Sequence, residues 1–114
     1  MHEYSLIQAL LTRVEEEARR RRALLVHALA IRVGELSGVD PDLLAGAYEI
    51  ARAGTPCAAA ELRVTRVPAA WLCPRCRRIL PPGAVLRCPE CDLAAELSEG
   101  ADALILDSIE MEVP

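Results

Sequence analysis

Two short turns, Cys73-Pro-Arg-Cys76 and Cys88-Pro-Glu-Cys91, constrain what this chain can fold into more than any other part of it. In each, the C-x-x-C spacing aims two thiolates at one point. Eleven residues, Arg77 to Arg87, separate the pairs, and their sequence, RRILPPGAVLR, can form a short hairpin that brings the two points together. Four thiolates at tetrahedral geometry suit Zn2+, which has no directional d-electron preference and forms closed structural sites with four cysteines. Two disulfides or a redox dithiol fit poorly with a doubled motif that has Pro at the second position of each turn. Four protein ligands leave no open coordination position, so the ion expected at Cys73, Cys76, Cys88 and Cys91 is structural and not hydrolytic.

The rest of the chain must supply a core without much aromatic help. Of 114 residues, 53% are hydrophobic, enough for one domain with a small appendage, but there are only two Tyr, one Trp and no Phe, so the core is aliphatic. All 13 basic residues are arginine, and the net charge is −4. An acidic balance argues against a general nucleic-acid binder, which needs a basic surplus to neutralise phosphates. Arg75, Arg77, Arg78 and Arg87, with Trp71 nearby, make the cysteine segment locally basic and keep a zinc ribbon contacting nucleic acid or a transcription complex as the alternative reading. The apolar runs are too short to span a membrane. No basic n-region and apolar h-region mark a signal peptide, so the expected setting is cytoplasmic, with reduced thiols.

Apolar periodicity places the elements. Leu6, Leu10 and Val14, with Ile7, Leu11 and Ala18, form one stripe of a helix. Its far side carries Glu15 to Glu17 and then Arg19 to Arg22. The pairs Glu15–Arg19, Glu16–Arg20 and Glu17–Arg21 have favourable i,i+4 order, and the arginines also suit a helix C-terminus or an acidic partner. LLVHALAIRVGEL reads as a strand, with Leu25, His27, Leu29, Ile31 and Val33 on one side; His27 reads as a satisfied core or edge residue and not as a ligand. In DPDLLAGAYEIARAGTP, Asp40 is the N-cap, Pro41 the first helical residue, Gly54 the left-handed cap and Pro56 the stop. Cys57 follows as a lone loop cysteine with no predicted role. AELRVTRV and ADALILDSIEMEV read as strands, the second with Ile105, Ile109, Met111 and Val113 on one side. The order helix, strand, helix, strand, insert, strand predicts an α+β fold: a small antiparallel three-stranded sheet with two helices on one face, plus an inserted four-cysteine zinc ribbon. The expected units are 1–68, completed by 102–114, and the zinc insert 69–101.

The amino terminus, Met1-His2-Glu3, is a second constellation. With Met1 retained, its α-amine and the amide and imidazole nitrogens of His2 can close adjacent five- and six-membered chelate rings. Glu3 adds an amide nitrogen or a carboxylate. Nitrogen- and oxygen-rich, near-planar donors suit Ni(II) or Cu(II) better than zinc. The α-amine titrates near neutral pH, so such a site loads at pH 7 and weakens on acidification. Glu3 is equally a good residue for the first turn of a helix.

Taken together, MHEYSLIQALL, RVGELSGVDPDLLAGAYEIARAGT, the paired C-x-x-C turns and EGADALILDSIEMEV resemble the HypA/HybF family of hydrogenase nickel-incorporation proteins over nearly the whole chain. The resemblance implies a metallochaperone and not an enzyme. It implies Ni2+ cargo at Met1, His2 and Glu3, with His2 the indispensable ligand, and structural Zn2+ at the four cysteines. It further implies work with a HypB-type GTPase to load the large subunit of NiFe-hydrogenase and, in some organisms, service to urease through its accessory proteins. Arg77 and Asp92 follow the second cysteine of each turn, where a Gly is common. Neither a membrane nor a nucleic acid is an expected partner, and a strand-edged sheet permits either a monomer or a homodimer.

Overall fold

The computed structural model describes residues 3–81 and 86–114. Helix α1, Glu3–Arg20, buries Ile7, Leu10, Leu11, Val14 and Ala18, the predicted stripe. Strand β1 spans Leu25–Gly34, helix α2 Pro41–Ala51 and strand β2 Glu61–Val67. Asp40 caps α2 through its Oδ1, which accepts from the amides of Asp42 (2.9 Å) and Leu43 (3.3 Å). Short strands β3 (Trp71–Leu72), β4 (Ile79–Leu80) and β5 (Glu96–Leu97) belong to the cysteine segment, and β6, Leu104–Glu112, closes the fold.

The main sheet has three strands in the order β2-β1-β6. It is mixed rather than purely antiparallel. β1 and β6 run antiparallel, but β1 and β2 run parallel, with Leu29 opposite Leu62 and Ile31 opposite Val64. The reason is α2: a helical crossover returns the chain to the starting end of the sheet, where a tight turn would have reversed it. Both helices lie on one face. Leu44 and Tyr48 of α2 join the α1 stripe and Val26, Leu29, Ile31 and Val33 of β1 in one buried cluster. Tyr48 buries its ring there and donates its hydroxyl to the carbonyl of Ala60 (2.8 Å), which meets the hydrogen-bond requirement of a buried phenol.

Two register irregularities shift side chains from one face to the other. Between Val26 and Ala28 of β1 an extra residue, His27, stands against no partner, and Asp107 is extra in β6 between Leu106 and Ser108. A bulge breaks the period of two. Consequently Val26 shares the core face with Leu29, while Leu25 and His27 are exposed, against the expectation that they continue the apolar side. On β6 the core residues are Leu104, Leu106, Ile109 and Met111, so Ile105 does not share the face of Ile109. The uncovered face is laced with ion pairs: Arg32 with Asp107 (2.8 Å), and Arg63, reaching across the alanines of β1, with Glu110 (2.9 Å).

On α1 the charge pairing is narrower than predicted. Glu17 binds both Arg20 and Arg21, and among the described residues the pairs Glu15–Arg19 and Glu16–Arg20 do not form. Among the described residues Arg19 makes no ion pair.

Candidate metal centres

Each C-x-x-C turn sits at the base of its own small β pairing. Trp71 and Leu72 pair with Leu80 and Ile79 around the first, and Arg87 bridges Ala94 around the second. This differs from a single hairpin between the pairs; residues 82–85 of that predicted hairpin lie outside the described residues. The two turns repeat one pattern of backbone bonds. Cys73 N donates to Arg78 O (3.0 Å) and Arg77 N to Cys73 O (2.9 Å), just as Cys88 N donates to Leu93 O and Asp92 N to Cys88 O, both at 2.9 Å. Closing the turns this tightly drives Arg77 and Asp92 into left-handed conformations, φ 63° and 54°. These are the two positions where Gly is usual, and the turns form despite a Cβ there.

The thiols converge. All four sulfurs of Cys73, Cys76, Cys88 and Cys91 lie within 4.8 Å of one another, and among the described residues this is the one group of His, Cys, Asp or Glu with metal-ligating geometry. Cys76 and Cys88 are 3.7 Å apart at sulfur, close to the ~3.8 Å edge of a tetrahedron with zinc–sulfur bonds of about 2.3 Å. Cys73 and Cys88, the first of each turn, are buried. The amide of Cys76 points at the Cys73 sulfur (3.5 Å) and that of Cys91 at the Cys88 sulfur (3.4 Å), the donor arrangement that favours thiolate. The first of these amides is the main reason the Cys73 thiol is drawn down to about 6. Burial, reinforced by neighbouring thiols, pushes Cys91 up to about 12. The donor set therefore fits a zinc ion, with protons displaced on loading.

Arginines around the ribbon are largely occupied. Arg78 pairs with Glu90 and Arg87 with Asp92, each at 2.7 Å, so two of the four cations behind the nucleic-acid alternative are already neutralised locally.

Of the amino-terminal candidates, Met1 and His2 lie outside the described residues. Glu3 opens α1, and its Oε2 accepts from the amide of Asp40 (3.3 Å), the cap residue of α2. The first turn of α1 is thereby held at the amino end of α2, where unpaired amides and the helix dipole favour carboxylate. Sequence reasoning missed this contact, because Glu3 and Asp40 are far apart in the chain and nothing local signals the pairing. His27 is no part of the cysteine cluster; its Nε2 lies 3.4 Å from Glu112 at the surface. Cys57 is buried, and burial pushes its thiol up, which keeps it protonated and inert.

A set of residues joins the cysteine segment to the main sheet. Ser98 donates its amide to Ala70 O (2.7 Å), and its hydroxyl accepts from Ala70 N (3.0 Å) while donating to Pro68 O (3.1 Å). Glu35 binds the outgoing chain at the amide of Ala69 (2.7 Å). The returning chain docks on the end of β1, where Leu36 N donates to Ala101 O (2.7 Å) and Gly34 N to Ala103 O (2.9 Å).

Comparison with known proteins agrees with this arrangement. Residues 1–111 match the family model described as "Hydrogenase/urease nickel incorporation, metallochaperone, hypA". A protein from Wolinella succinogenes named hydrogenase maturation factor HypA is 35% identical over 98% of this chain and 96% of its own length. Its namesake in Shewanella sp. strain MR-7 is 35% identical over 98% and 96%. The solution structure of the Ni metallochaperone HypA from Helicobacter pylori superposes with a TM-score of 0.69 at 27% identity, covering all of both chains. A second HypA solution structure gives 0.72 at 28%, covering 97% of this chain and 96% of that one.

Proposed function

The chain belongs to the HypA family of metallochaperones for hydrogenase and urease nickel incorporation, and from that premise we propose that it binds Ni(II) through Met1, His2 and Glu3 and hands the ion on, with a HypB-type GTPase, to the large subunit of NiFe-hydrogenase. The observation that carries this reading is the closed four-thiol cluster, which leaves a transferred ion to other donors. The four thiols form a complete tetrahedral donor set, so Cys73, Cys76, Cys88 and Cys91 serve a resident zinc and offer no position to a passing ion. Cargo needs other donors, and the amino terminus has them: the amine, the His2 amide and imidazole, and the Glu3 amide. Where the Glu3 carboxylate holds the Asp40 amide, the Glu3 amide is the more available donor.

The chemistry suits transfer. Few donors on a chain terminus can be stripped by stepwise ligand exchange, whereas a closed four-thiolate cage cannot. Copper outranks nickel in intrinsic affinity for such donors, so selectivity rests on geometry, metal availability and the docked partner. In this reading the protein holds and passes an ion in the cytoplasm without catalysing a reaction. Its nickel unit comprises residues 1–68 with 102–114, and its zinc unit 69–101.

The test is metal binding by protein with an unmodified amino terminus. Wild type and His2→Ala should each retain about one zinc per chain, and calorimetric Ni(II) binding should be lost only in the variant. Nickel binding that survives His2→Ala, or that tracks the cysteines, would overturn the assignment. Wild-type binding should also weaken as the pH falls through the range of the α-amine and imidazole, near 8 and 6.5 in unperturbed groups.

A further inference from the structure

The carboxyl end of α1 carries features that neither metal centre uses. The helix closes as a Schellman motif: Ala23 N donates to Ala18 O (2.9 Å) and Arg22 N to Arg19 O (3.1 Å). This pattern makes Arg22 the residue that must turn left-handed, and its φ is 55°. Glycine is the usual occupant, because a Cβ is strained there. After Ala23 the chain exposes two leucines, Leu24 at 67% and Leu25 at 42%. Facing them across a groove of about 400 Å3 are Pro56, Ala58 and Ala59 of the α2–β2 connection, all exposed. Arg19 and Arg22 line the same groove, as does one carboxylate, Glu15. Among the described residues neither arginine makes an ion pair, whereas Arg20 and Arg21 are held by Glu17.

A solvated helix end accounts for arginines but not for adjacent exposed leucines opposite an apolar wall. Apolar surface rimmed by charge is the usual mark of an interaction site. The backbone adds a third element. β2 begins pairing with β1 only at Ala28, so Leu25 and Val26, paired with β6 on one side, present their other edge to this groove.

We propose that the groove between the end of α1 and the α2–β2 connection docks an extended segment of a partner protein in which aliphatic side chains alternate with carboxylates. The aliphatic groups seat between Leu24 and Ala58, the carboxylates meet the guanidinium forks of Arg19 and Arg22, and the segment's backbone pairs with the open edge of β1. Charge selects this occupant. The chain as a whole is at −4, which opposes a nucleic acid or an extended anionic surface beyond the rim, while a short acidic segment touches only the basic end. A concave groove also admits side chains better than a flat bilayer does. The site lies at the far end of α1 from Glu3, about 26 Å along the helix, so a docked partner sits away from Glu3. The proposal stands independently of where nickel binds.

A fluorescein-labelled peptide alternating leucine with glutamate, followed by anisotropy, tests it. Wild type should bind, with affinity falling as salt rises. The Arg19→Glu/Arg22→Glu variant should lose about tenfold or more, and a peptide with serine in place of leucine should fail to bind. Arg22→Gly should melt at a higher temperature than wild type, because the strain is relieved, yet bind the peptide more weakly; this separates recognition from folding. The proposal is overturned if the peptide does not bind, if the serine peptide binds equally, or if charge reversal or Arg22→Gly leaves affinity unchanged. It is equally overturned if phosphatidylglycerol vesicles bind in an Arg19- and Arg22-dependent way more tightly than the peptide does, which assigns the face to a membrane.

Discussion

Gly34 shows how much one missing methyl group can decide. It ends β1 where the chain returning from the cysteine segment crosses, and a Cβ built there would overlap the carbonyl oxygens of Gly100 and Ala101. Both are backbone atoms, so no side chain can move aside to make room. Gly34→Ala should therefore lower stability by about 1–3 kcal/mol, read as a lower midpoint in thermal or urea unfolding; an unchanged midpoint would show that the 100–101 crossing has slack. Arg77 and Asp92 teach the complementary lesson. Their left-handed φ values are imposed by the paired turns around the cysteines, and the turns hold although neither residue is glycine. The spacing of the cysteines identified the four thiols, and the missing glycines marked the two positions that each turn's own backbone bonds drive left-handed.

At the scale of elements, α1 and the start of α2 follow their sequences closely, since a 3.6-residue stripe and an Asp-Pro start are local signals. But α2 ends at Ala51 with Arg52 as a right-handed cap, and the left-handed Gly54 predicted as its cap stands two residues beyond. The strands follow theirs only in part. His27 and Asp107 each break the alternation that would have carried Leu25 and Ile105 to the core face. A bulge depends on the partner strand's register, which no single strand contains. Side-chain pairing on α1 has the same character: three i,i+4 pairs are available, and one carboxylate, Glu17, takes two arginines. Those bonds, first with Arg21 and then with Arg20, hold the Glu17 carboxyl below its ordinary value of 4.5. A depressed carboxylate stabilises the fold above its unfolded value, and that support fades as pH falls through the lower folded one. Carboxyl titration followed by NMR should place Glu17 below the ordinary glutamate value at low ionic strength, and salt should narrow the gap because the group is exposed. A Glu17 carboxyl that titrates at the ordinary value would mean that the pairs do not persist in solution.

The whole molecule has a radius of gyration of 17.9 Å, against about 13 Å for a compact chain of this length, because the cysteine sheet stands away from the main core. That sheet consists of two-residue strands, too short to be stable alone, and its thiols are absent from the main buried cluster. Metal must therefore supply what packing does not. Removing zinc with a chelator, or protonating the thiols with acid, should collapse hydrogen-exchange protection across 71–97 while β1, β2 and β6 stay protected; simultaneous loss in both sheets would show that the zinc ribbon supports the main fold. Sequence alone determined the four-cysteine donor set, both helices and the existence of the three long strands. These rest on residue type and short-range periodicity, which are properties of neighbouring positions. Strand direction, the bulges that reassign faces, the clamp built on Gly34, Glu35 and Ser98, and the meeting of Glu3 with Asp40 came from contacts between distant segments, whose partners are chosen only once the chain has packed.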